Sequence, residues 1–348
     1  MLKKVTLAMA LGAFAMTGSL GSAEAKVLKF QTSSSAGSFT YKYMTEVWAP
    51  KLKAMSGGAL EIDIAPTRAI VPHRETISAV KNGILDGDLN AVAYFSGLDA
   101  GFGLMGDLIA GYDTTDQMGM FCMNGGGKEM LQKLFDKYAQ KGIHVIGCGP
   151  FAREAFVATK PIRSVADFKG VKVRSPEGLA SEVFRRAGAA PVAIPFSEVY
   201  TSLEKGIVDA ADASAYVNNE SSGLHKIAKF PIYPGIHSMA VIQMVINQKV
   251  WDKMSEQERT ILDVWYLAYS NDIRRASDLE DRKLVSRDKA GNGNVTEVID
   301  WTLEERTKFR EIAVGAWKAF AEKSPLAQEA YDANIKFMKE YGLLGPDF

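Results

Sequence analysis

The chain of 348 residues is poor in cysteine and histidine, the residue types that build disulfide frameworks and most zinc centres. It has two cysteines and four histidines. Cys122 and Cys148 can pair in an oxidising compartment or remain as two buried thiols, and in neither case do disulfides form the framework of the fold. Basic and acidic residues both number 41, which leaves no formal net charge. This balance argues against nucleic acid or an anionic membrane surface as the partner.

Sequence motifs of enzymes are also missing. The histidines are far apart, and the chain contains neither a His-Glu-x-x-His motif nor paired cysteines with metal-ligand spacing. The segment Gly125–Lys128 differs from a phosphate-binding loop, because Glu129 follows the lysine where serine or threonine is required. No Gly-x-Ser-x-Gly nucleophile elbow occurs. Nothing in these patterns indicates catalysis or a cofactor, so we expect neither.

Residues 1–25 have the composition of a secretory signal peptide. Two lysines precede an apolar run from Val5 to Met16, and Ala23-Glu24-Ala25 supplies the small residues that signal peptidase requires. No other run approaches the roughly 20 apolar residues of a membrane span. We therefore expect a soluble protein that is exported to the periplasm and begins at Lys26.

Strand-like and helix-like patterns alternate along the mature chain, which is typical of α/β folds with parallel sheets. The early elements are predicted as a strand over Val27–Ser33, a helix over Phe39–Met55, a strand over Leu60–Ile64 and a helix over Glu75–Asn82. Ser255 and Glu258 form a capping box that predicts the start of a long helix. A similar start at Thr302 predicts another helix. These C-terminal helices are long enough to brace two lobes.

Residues 80–86 and 203–209 are similar to each other. In each segment the pattern predicts the end of a helix, a glycine that caps it and the apolar start of a strand, followed by an aspartate. Two such units far apart in sequence suggest two lobes of similar construction. The same pattern is also common in α/β proteins generally, so both interpretations stay open here.

Several polar residues at predicted strand ends indicate ligand binding. Arg174 ends an alternating stretch, Val171–Arg174, that predicts a strand. An arginine at a strand end presents a planar set of donors that suits a carboxylate. Arg153 begins another strand-like segment. Asp212 and Tyr216 lie towards the C-terminal end of a third, where open α/β sheets bind ligands. Each of these residues can equally be solvated or paired on the surface.

The chain resembles the extracytoplasmic solute-binding proteins of tripartite ATP-independent periplasmic (TRAP) transporters over essentially the whole mature sequence. It is most similar to members that bind C4-dicarboxylates or 2-oxo acids. The most specific similarities are Pro161-Ile162, Val165–Arg174 and Gly206–Ala211. Weaker ones are Ser33–Ser35, Ala69–Pro72 with Ala79-Val80 and Gly83, and Ile246-Asn247 with Trp251.

This resemblance implies a two-lobe periplasmic binding protein, or Venus-flytrap, fold with crossing hinge strands and one long bracing helix. We expect lobe I to comprise residues 26–150 and 241–282, and lobe II to comprise 151–240 and 283–348. The implied function is capture of a small organic acid in the cleft between the lobes and its delivery to TRAP membrane permease subunits. We expect a monomer.

The resemblance also implies roles for individual residues. Arg174 would anchor the carboxylate of the ligand with two hydrogen bonds. Arg153 would make a second contact, or else pair locally with Glu154. Asp212 and Tyr216 would contact a hydroxyl or amine of the ligand. Groups from the other lobe would close over it, namely Ser34, Phe39 and Tyr94.

The chain departs from the branch of the family that binds 2-oxo or 2-hydroxy acids with a metal ion. Similarity to that branch is found in Asp209–Ala211 and Pro234–His237. Its members carry glutamine, glutamate-tryptophan and a later glutamate where this chain has Arg153, Asp212-Ala213 and Ser238. An arginine and a serine in place of oxygen ligands leave too few carboxylates for a hard cation, so we expect no metal ion.

Three other functions remain open at this stage. The protein could be a periplasmic enzyme that acts on organic acids, or a ligand-sensing subunit that docks onto a membrane receptor. It could also serve an ATP-driven transporter, although the long C-terminal helix and the arginine motif argue against that. The identity of the acid is not encoded in any motif.

Overall fold

The computed structural model describes residues 25–236 and 238–344. The expected signal peptide lies outside the described residues apart from Ala25. The strands are β1 (Lys26–Thr32), β2 (Leu60–Ala65), β3 (Gly87–Ala91), β4 (Ile143–Pro150), β5 (Ala155–Ala158), β6 (Lys172–Ser175), β7 (Ala190–Ala193), β8 (Ala210–Ser214) and β9 (Val241–Asn247). The helices are α1 (Phe39–Lys42), α2 (Ala49–Met55), α3 (Thr76–Lys81), α4 (Ala100–Gly106), α5 (Thr115–Asn124), α6 (Gly127–Tyr138), α7 (Leu179–Arg186), α8 (Val199–Glu204), α9 (Tyr216–Ser221), α10 (Gln248–Asp252), α11 (Glu256–Lys289), α12 (Leu303–Ala321) and α13 (Pro325–Glu340).

Two sheets divide the molecule into two lobes. The first sheet has the strand order β2-β1-β3-β9-β4, and the second has the order β5-β8-β6-β7. Each sheet has three neighbouring parallel strands, β2-β1-β3 in the first and β8-β6-β7 in the second. Strand β9 pairs antiparallel with both β3 and β4, and β5 pairs antiparallel with β8. The chain passes from the first sheet to the second after Pro150 and returns to it at Val241. The predicted α/β two-lobe fold is confirmed.

The early elements follow the predicted pattern closely. A π-helical segment, Tyr43–Trp48, joins α1 to α2, so helical structure runs over Phe39–Met55 as predicted. Leu60, Ile62 and Ile64 are buried on one side of β2, as their alternation with acidic residues requires.

The two similar sequence segments occupy equivalent places in the two sheets. Gly83 and Gly206 both have positive φ and end the preceding helices. The carboxylate of Asp86 then accepts a hydrogen bond from the main-chain N of Lys29 at 2.8 Å. Asp209 accepts one from the main-chain N of Lys172 at 3.0 Å. Each aspartate therefore fixes the neighbouring parallel strand, which supports the interpretation of two similarly constructed lobes. The strands themselves begin at Gly87 and Ala210, after the apolar residues predicted to start them.

The long helix α11 contacts both lobes. Ser255 and Glu258 form the predicted capping box at its start. Trp265, in its first half, donates to the main-chain O of Trp48 in the first lobe at 2.8 Å. In its second half, Asp281 accepts from the main-chain N of Val217 in the second lobe at 2.7 Å. The helix therefore braces the two lobes, as its position in the sequence led us to expect.

The last two helices extend the contact between the lobes. Helix α12 packs against α4 of the first lobe and α7 of the second. Helix α13 packs against α4 and α6, so it lies on the first lobe and not on the second, where the expected division at residue 283 places it. The reason is the apolar face of α13, where Phe337 meets the rings of Tyr112 and Phe121. Within 25–236 and 238–344, no helix is long and apolar enough to cross a membrane.

The two cysteines are joined. Cys122 on α5 and Cys148 on β4 form a disulfide with a Cα–Cα distance of 5.7 Å. Of the two alternatives that the sequence left open, the structure therefore has the pair. The bond fastens α5 to the edge strand of the first sheet.

Candidate functional site

A cleft with a cavity of about 70 Å³ lies between the two sheets. Both lobes contribute to its walls, and the first segment after β1 and the end of β6 face each other across it. The polar and aromatic residues of its lining include Ser34, Tyr94, Asp107, Glu154, Arg174 and Phe196. The remaining walls are small or apolar side chains with a few hydroxyls and one amide, from Asn218.

Arg174 lies in the cleft wall and is only 2% exposed. Its Nε donates to the main-chain O of Ile194 at 2.8 Å. Its Nη1 donates a second hydrogen bond, to the main-chain O of Asp212. These two carbonyl groups hold the guanidinium plane in a fixed orientation without neutralising its charge. Since a guanidinium has five N–H donors, the remaining ones are available to a ligand in the cleft.

Three buried carboxylates meet next to Arg174. Asp107, Glu154 and Asp212 each offer an oxygen atom, and these atoms lie within 4.8 Å of one another. We call these three residues the acidic cluster. The Ser238 hydroxyl is within hydrogen-bond distance of all three, at 2.8 Å from Glu154 and 3.5 Å from Asp212. A hydroxyl has one proton to donate, so the acidic cluster needs bound protons or a cation to satisfy these contacts.

The pKa values of the acidic cluster agree with this requirement. Burial raises the pKa of Asp107 to about 6. Burial and the neighbouring Asp107 raise the pKa of Asp212 to about 7, and Arg174 opposes that rise. Burial, with Asp212 and Asp107 nearby, raises the pKa of Glu154 well above its usual value. At neutral pH these groups therefore hold protons more strongly than free carboxylates do.

Three of the predicted site residues line the cleft. Arg174 does so from the second lobe, and Ser34 and Tyr94 do so from the first. The Tyr94 hydroxyl accepts a hydrogen bond from the main-chain N of Phe196 at 3.2 Å, which links the lobes beside the cavity. Asp212 lies directly behind the wall, in contact with Arg174 through its main chain.

The other three predicted residues lie elsewhere. Arg153 points away from the cleft, where it donates to the main-chain O of Asp113 and lines a separate cavity. Tyr216 is buried behind the second sheet and donates to Asp288 of α11 at 2.6 Å. Phe39 stacks on Tyr43, and its main-chain N donates to the Ser221 hydroxyl of the second lobe at 3.2 Å. The structure therefore does not bring these side chains together with Arg174.

Sequence reasoning missed Glu154 and Asp107. Successive residues of an extended segment point in opposite directions, so when Arg153 faces outward, Glu154 faces the cleft. The choice between the two neighbours could not be made without knowing which side of the segment is the cleft. Asp107 follows α4 and no motif marks it.

The acidic cluster also overturns the argument that carboxylates are too few for a metal ion. Glu154, not Arg153, stands beside Asp212 and Ser238, and Asp107 adds a third carboxylate. An all-oxygen donor set of this kind suits a hard cation such as Ca²⁺. His237, which belongs to the segment similar to the metal-binding branch, lies outside the described residues.

A second group of possible metal-ligating side chains is not an all-oxygen donor set. Glu220, His225 and Asp288 lie close together near the end of α11. Arg287 already pairs with Glu220 at 3.0 Å and with Asp288 at 2.6 Å. Both carboxylates are therefore already engaged by a cation of the protein, with which a metal ion would have to compete.

The lobes touch each other around the mouth of the cleft. Arg68 of the first lobe pairs with Glu198 of the second at 2.9 Å. Arg74 pairs with Glu177 at 3.1 Å. Glu177 and Glu198 follow the cleft residues Pro176 and Phe196 closely in sequence. The structure therefore shows the lobes closed over the cavity.

Two lobes joined by crossing segments, a brace helix and an interlobe cleft with a buried arginine define a solute-binding protein. The family model described as bacterial extracellular solute-binding protein, family 7, matches residues 30–324. The chain belongs to this family, so its members' function as solute receptors rather than enzymes is the one to consider.

Individual relatives agree with this assignment. A solved TRAP periplasmic solute-binding protein from Rhodobacter sphaeroides, in an apo open structure, is 39% identical, with 91% of this chain and 99% of that chain covered and a TM-score of 0.74. The monocarboxylate 2-oxoacid-binding periplasmic protein of Nostoc is 23% identical over 85% of this chain and 79% of the relative. The C4-dicarboxylate-binding periplasmic protein of Rhodobacter capsulatus is 24% identical over 77% of this chain and 78% of the relative.

Proposed function

We propose that this protein captures a small organic acid in its interlobe cleft and delivers it to a TRAP-type membrane permease. The observation that carries the proposal is Arg174, which is buried in the cleft wall with donors left over for a carboxylate. The names of the relatives above, which bind 2-oxo acids and C4-dicarboxylates, support an acid as the ligand. The family and the expected signal peptide support the periplasm as the site of action.

The binding energy is sufficient for a transport receptor. Each hydrogen bond to a charged group contributes about 1.5–3 kcal/mol net. Two such bonds from Arg174, with two or three further contacts in the closed cleft, reach the roughly −8 kcal/mol of micromolar capture. Closure excludes water from the cavity and strengthens these contacts. The closed arrangement also differs in shape from an open one, which is what a permease needs in order to recognise the loaded state.

The acidic cluster restricts which acids fit. Three carboxylates beside a single arginine would repel an anion unless they are neutralised. Protons on the acidic cluster, a hydroxyl or amine donor on the ligand, or a hard cation that bridges the ligand carboxylate to the acidic cluster would each remove that repulsion. We therefore propose a small acid that carries a donor group or binds together with a cation.

A thermal-shift screen tests this function. Mono- and dicarboxylates, 2-oxo acids, 2-hydroxy acids and amino-acid derivatives would each be added in EDTA, and again with Ca²⁺. A ligand at 100 times its dissociation constant adds about 2.7 kcal/mol to the free energy of unfolding, which is a clear rise in melting temperature. Failure of every acid in both conditions would contradict the proposal.

The best acid would then be measured by calorimetry and recovered from the protein. Stoichiometric binding with the ligand recovered unchanged is expected of a receptor, whereas turnover would indicate an enzyme. Co-purification of the loaded protein with a TRAP permease, rather than with a membrane sensor, is the result expected for the transport partner.

A further inference from the structure

A second cavity lies beside the long helix and shares no lining residue with the cleft. Its volume is about 560 Å³. One wall is the segment Thr114–Asp116 of the first lobe, and another is formed by Arg153 and Tyr233-Pro234 in the crossing segments between the lobes. The third wall is the second half of α11, from Arg274 to Lys289. We call this space the hinge cavity.

The hinge cavity carries an excess of positive charge. Its basic residues are Arg153, Arg274, Arg275, Arg282 and Lys289, and its acidic ones are Asp116, Asp278 and Asp281. Two of the arginines are already paired, Arg274 with Asp116 at 2.6 Å and Arg282 with Asp278 at 2.9 Å.

The third carboxylate does not balance the remaining cations. Asp281 accepts from the main-chain N of Val217, and burial raises its pKa to about 7. Within the described part of the chain, Arg153, Arg275 and Lys289 form no ion pair. Three cations without an ion-pair partner therefore face one remaining carboxylate, which leaves an excess of positive charge around the cavity.

Arg153 has the environment of an anion-binding arginine. It is half-buried, and burial lowers its pKa because the charged form has lost part of its hydration. Its hydrogen bond goes to the main-chain O of Asp113, while the Asp113 carboxylate is engaged by Arg310. A partly desolvated guanidinium with a carbonyl as its hydrogen-bond acceptor gains more from an oxyanion than a solvated one does.

We propose that the hinge cavity binds a small anion with two or more negatively charged oxygen groups, such as a polycarboxylate or an inorganic oxyanion, held by Arg153, Arg275 and Lys289. Both lobes and α11 form its walls, so the bound anion stabilises the closed arrangement. It therefore increases the affinity of the cleft for its own ligand. By linkage, a ligand in the cleft increases the affinity for the anion by the same factor.

The site can be tested independently of the cleft. In an Arg174→Ala background, citrate and sulfate would be titrated against the full-length mature protein at constant ionic strength set with sodium chloride. We expect both probes to raise the melting temperature, with citrate binding more tightly. The further changes Arg153→Gln and Arg275→Gln should weaken citrate binding at least tenfold. In case that variant folds poorly, Arg275→Gln with Lys289→Gln alters only exposed side chains and should weaken it similarly.

The matched control removes two exposed lysines elsewhere on the second lobe, Lys169→Gln and Lys205→Gln. This control lowers the net charge equally and should leave citrate affinity unchanged. If the control and the arginine variant lose the same amount of citrate affinity, the effect is one of general charge and the proposed site is wrong. Absence of any stabilisation by citrate or sulfate would overturn it too.

The coupling is tested with Arg174 intact. Sulfate at saturation should raise the affinity for the best cleft acid at least threefold in the wild-type chain and not in Arg153→Gln/Arg275→Gln. Unchanged acid affinity with sulfate bound would refute the proposed link to closure. Because the probe is measured in a cleft-deficient background, failure of the hinge site and failure of the proposed acid binding give different results.

Discussion

The guanidinium of Arg174 donates a hydrogen bond to the main-chain oxygen of Asp212, while the side chain of Asp212 belongs to the acidic cluster. Arg174 is therefore fixed to β8, the strand that also carries one carboxylate of the acidic cluster. This arrangement orients the arginine before any ligand arrives. It also fixes the distance between the guanidinium and the acidic cluster. A ligand with an acid group and a donor group can therefore bind the guanidinium with the first and a carboxylate of the acidic cluster with the second.

Replacement of Arg174 tests its role as the anchor. Arg174→Lys keeps the charge, but an ammonium cannot bind two carbonyl groups and also grip a carboxylate with two parallel bonds. We expect the affinity for the best acid to fall at least about 100-fold, which corresponds to two charge-assisted hydrogen bonds. Calorimetry measures the change. Arg185→Lys, on the exposed side of α7, should bind as the wild type does, and affinity within threefold of wild type in Arg174→Lys would exclude Arg174 as the anchor.

The acidic cluster predicts a stability that falls as pH rises. The raised pKa values of Asp107 and Asp212, about 6 and about 7, lie above those of an unfolded chain. Their favourable contribution is therefore complete below about pH 4 and is lost as the pH rises through 6 to 7. We expect the melting temperature of the ligand-free protein to fall between pH 5 and pH 8. Glu154→Gln should flatten this profile, and an equal slope in that variant would argue against the cluster as its cause.

The same residues predict how a cation acts. If a hard cation neutralises the acidic cluster, Ca²⁺ should raise the melting temperature at pH 8 more than at pH 5, because protons compete with it at the lower pH. In Asp107→Asn, the Ca²⁺ concentration needed for the same rise in melting temperature should be at least tenfold higher. A response to Ca²⁺ that is the same at both pH values and in the variant would place the ion elsewhere.

The ion pair between Arg68 and Glu198 joins the two lobes at the mouth of the cleft, so we expect it to favour closure slightly. Both side chains are largely exposed, so the pair is worth at most about 1 kcal/mol and is weakened by salt. A double-mutant cycle with alanine should show a coupling of up to about fivefold in acid affinity at low salt and none at high salt. Lys133 and Glu329, an equally exposed pair on the helices of the first lobe, should show no such coupling. The same coupling for both pairs would contradict the role of Arg68 and Glu198.

The disulfide predicts a dependence of stability on redox conditions. Cys122 and Cys148 are 26 residues apart in sequence. By the loop-entropy model, the bond contributes about 3–4 kcal/mol to the free energy of unfolding. Denaturant unfolding of Cys122→Ser/Cys148→Ser should show this loss, and dithiothreitol should affect only the wild-type chain. Acid affinity should stay unchanged, because the bond lies outside the cleft.

The sequence by itself determined the fold class, the long brace helix and the position of Arg174. These features depend on local rules, such as the alternation in Val171–Arg174 and the capping box at Ser255, which act over a few residues. The similar segments ending at Asp86 and Asp209 only suggested two lobes, because the same local pattern is common in α/β proteins; the structure shows that each aspartate fixes the strand next to it.

Only the tertiary structure decided which side chains share the cleft. Arg153 and Glu154 are neighbours in sequence, yet one faces the hinge cavity and the other faces Asp107, which lies 47 residues earlier in the numbering. The direction of a side chain in an extended crossing segment depends on how the two lobes pack, and no local pattern records it. The disulfide, the acidic cluster and the place of α13 on the first lobe depend on the same long-range packing.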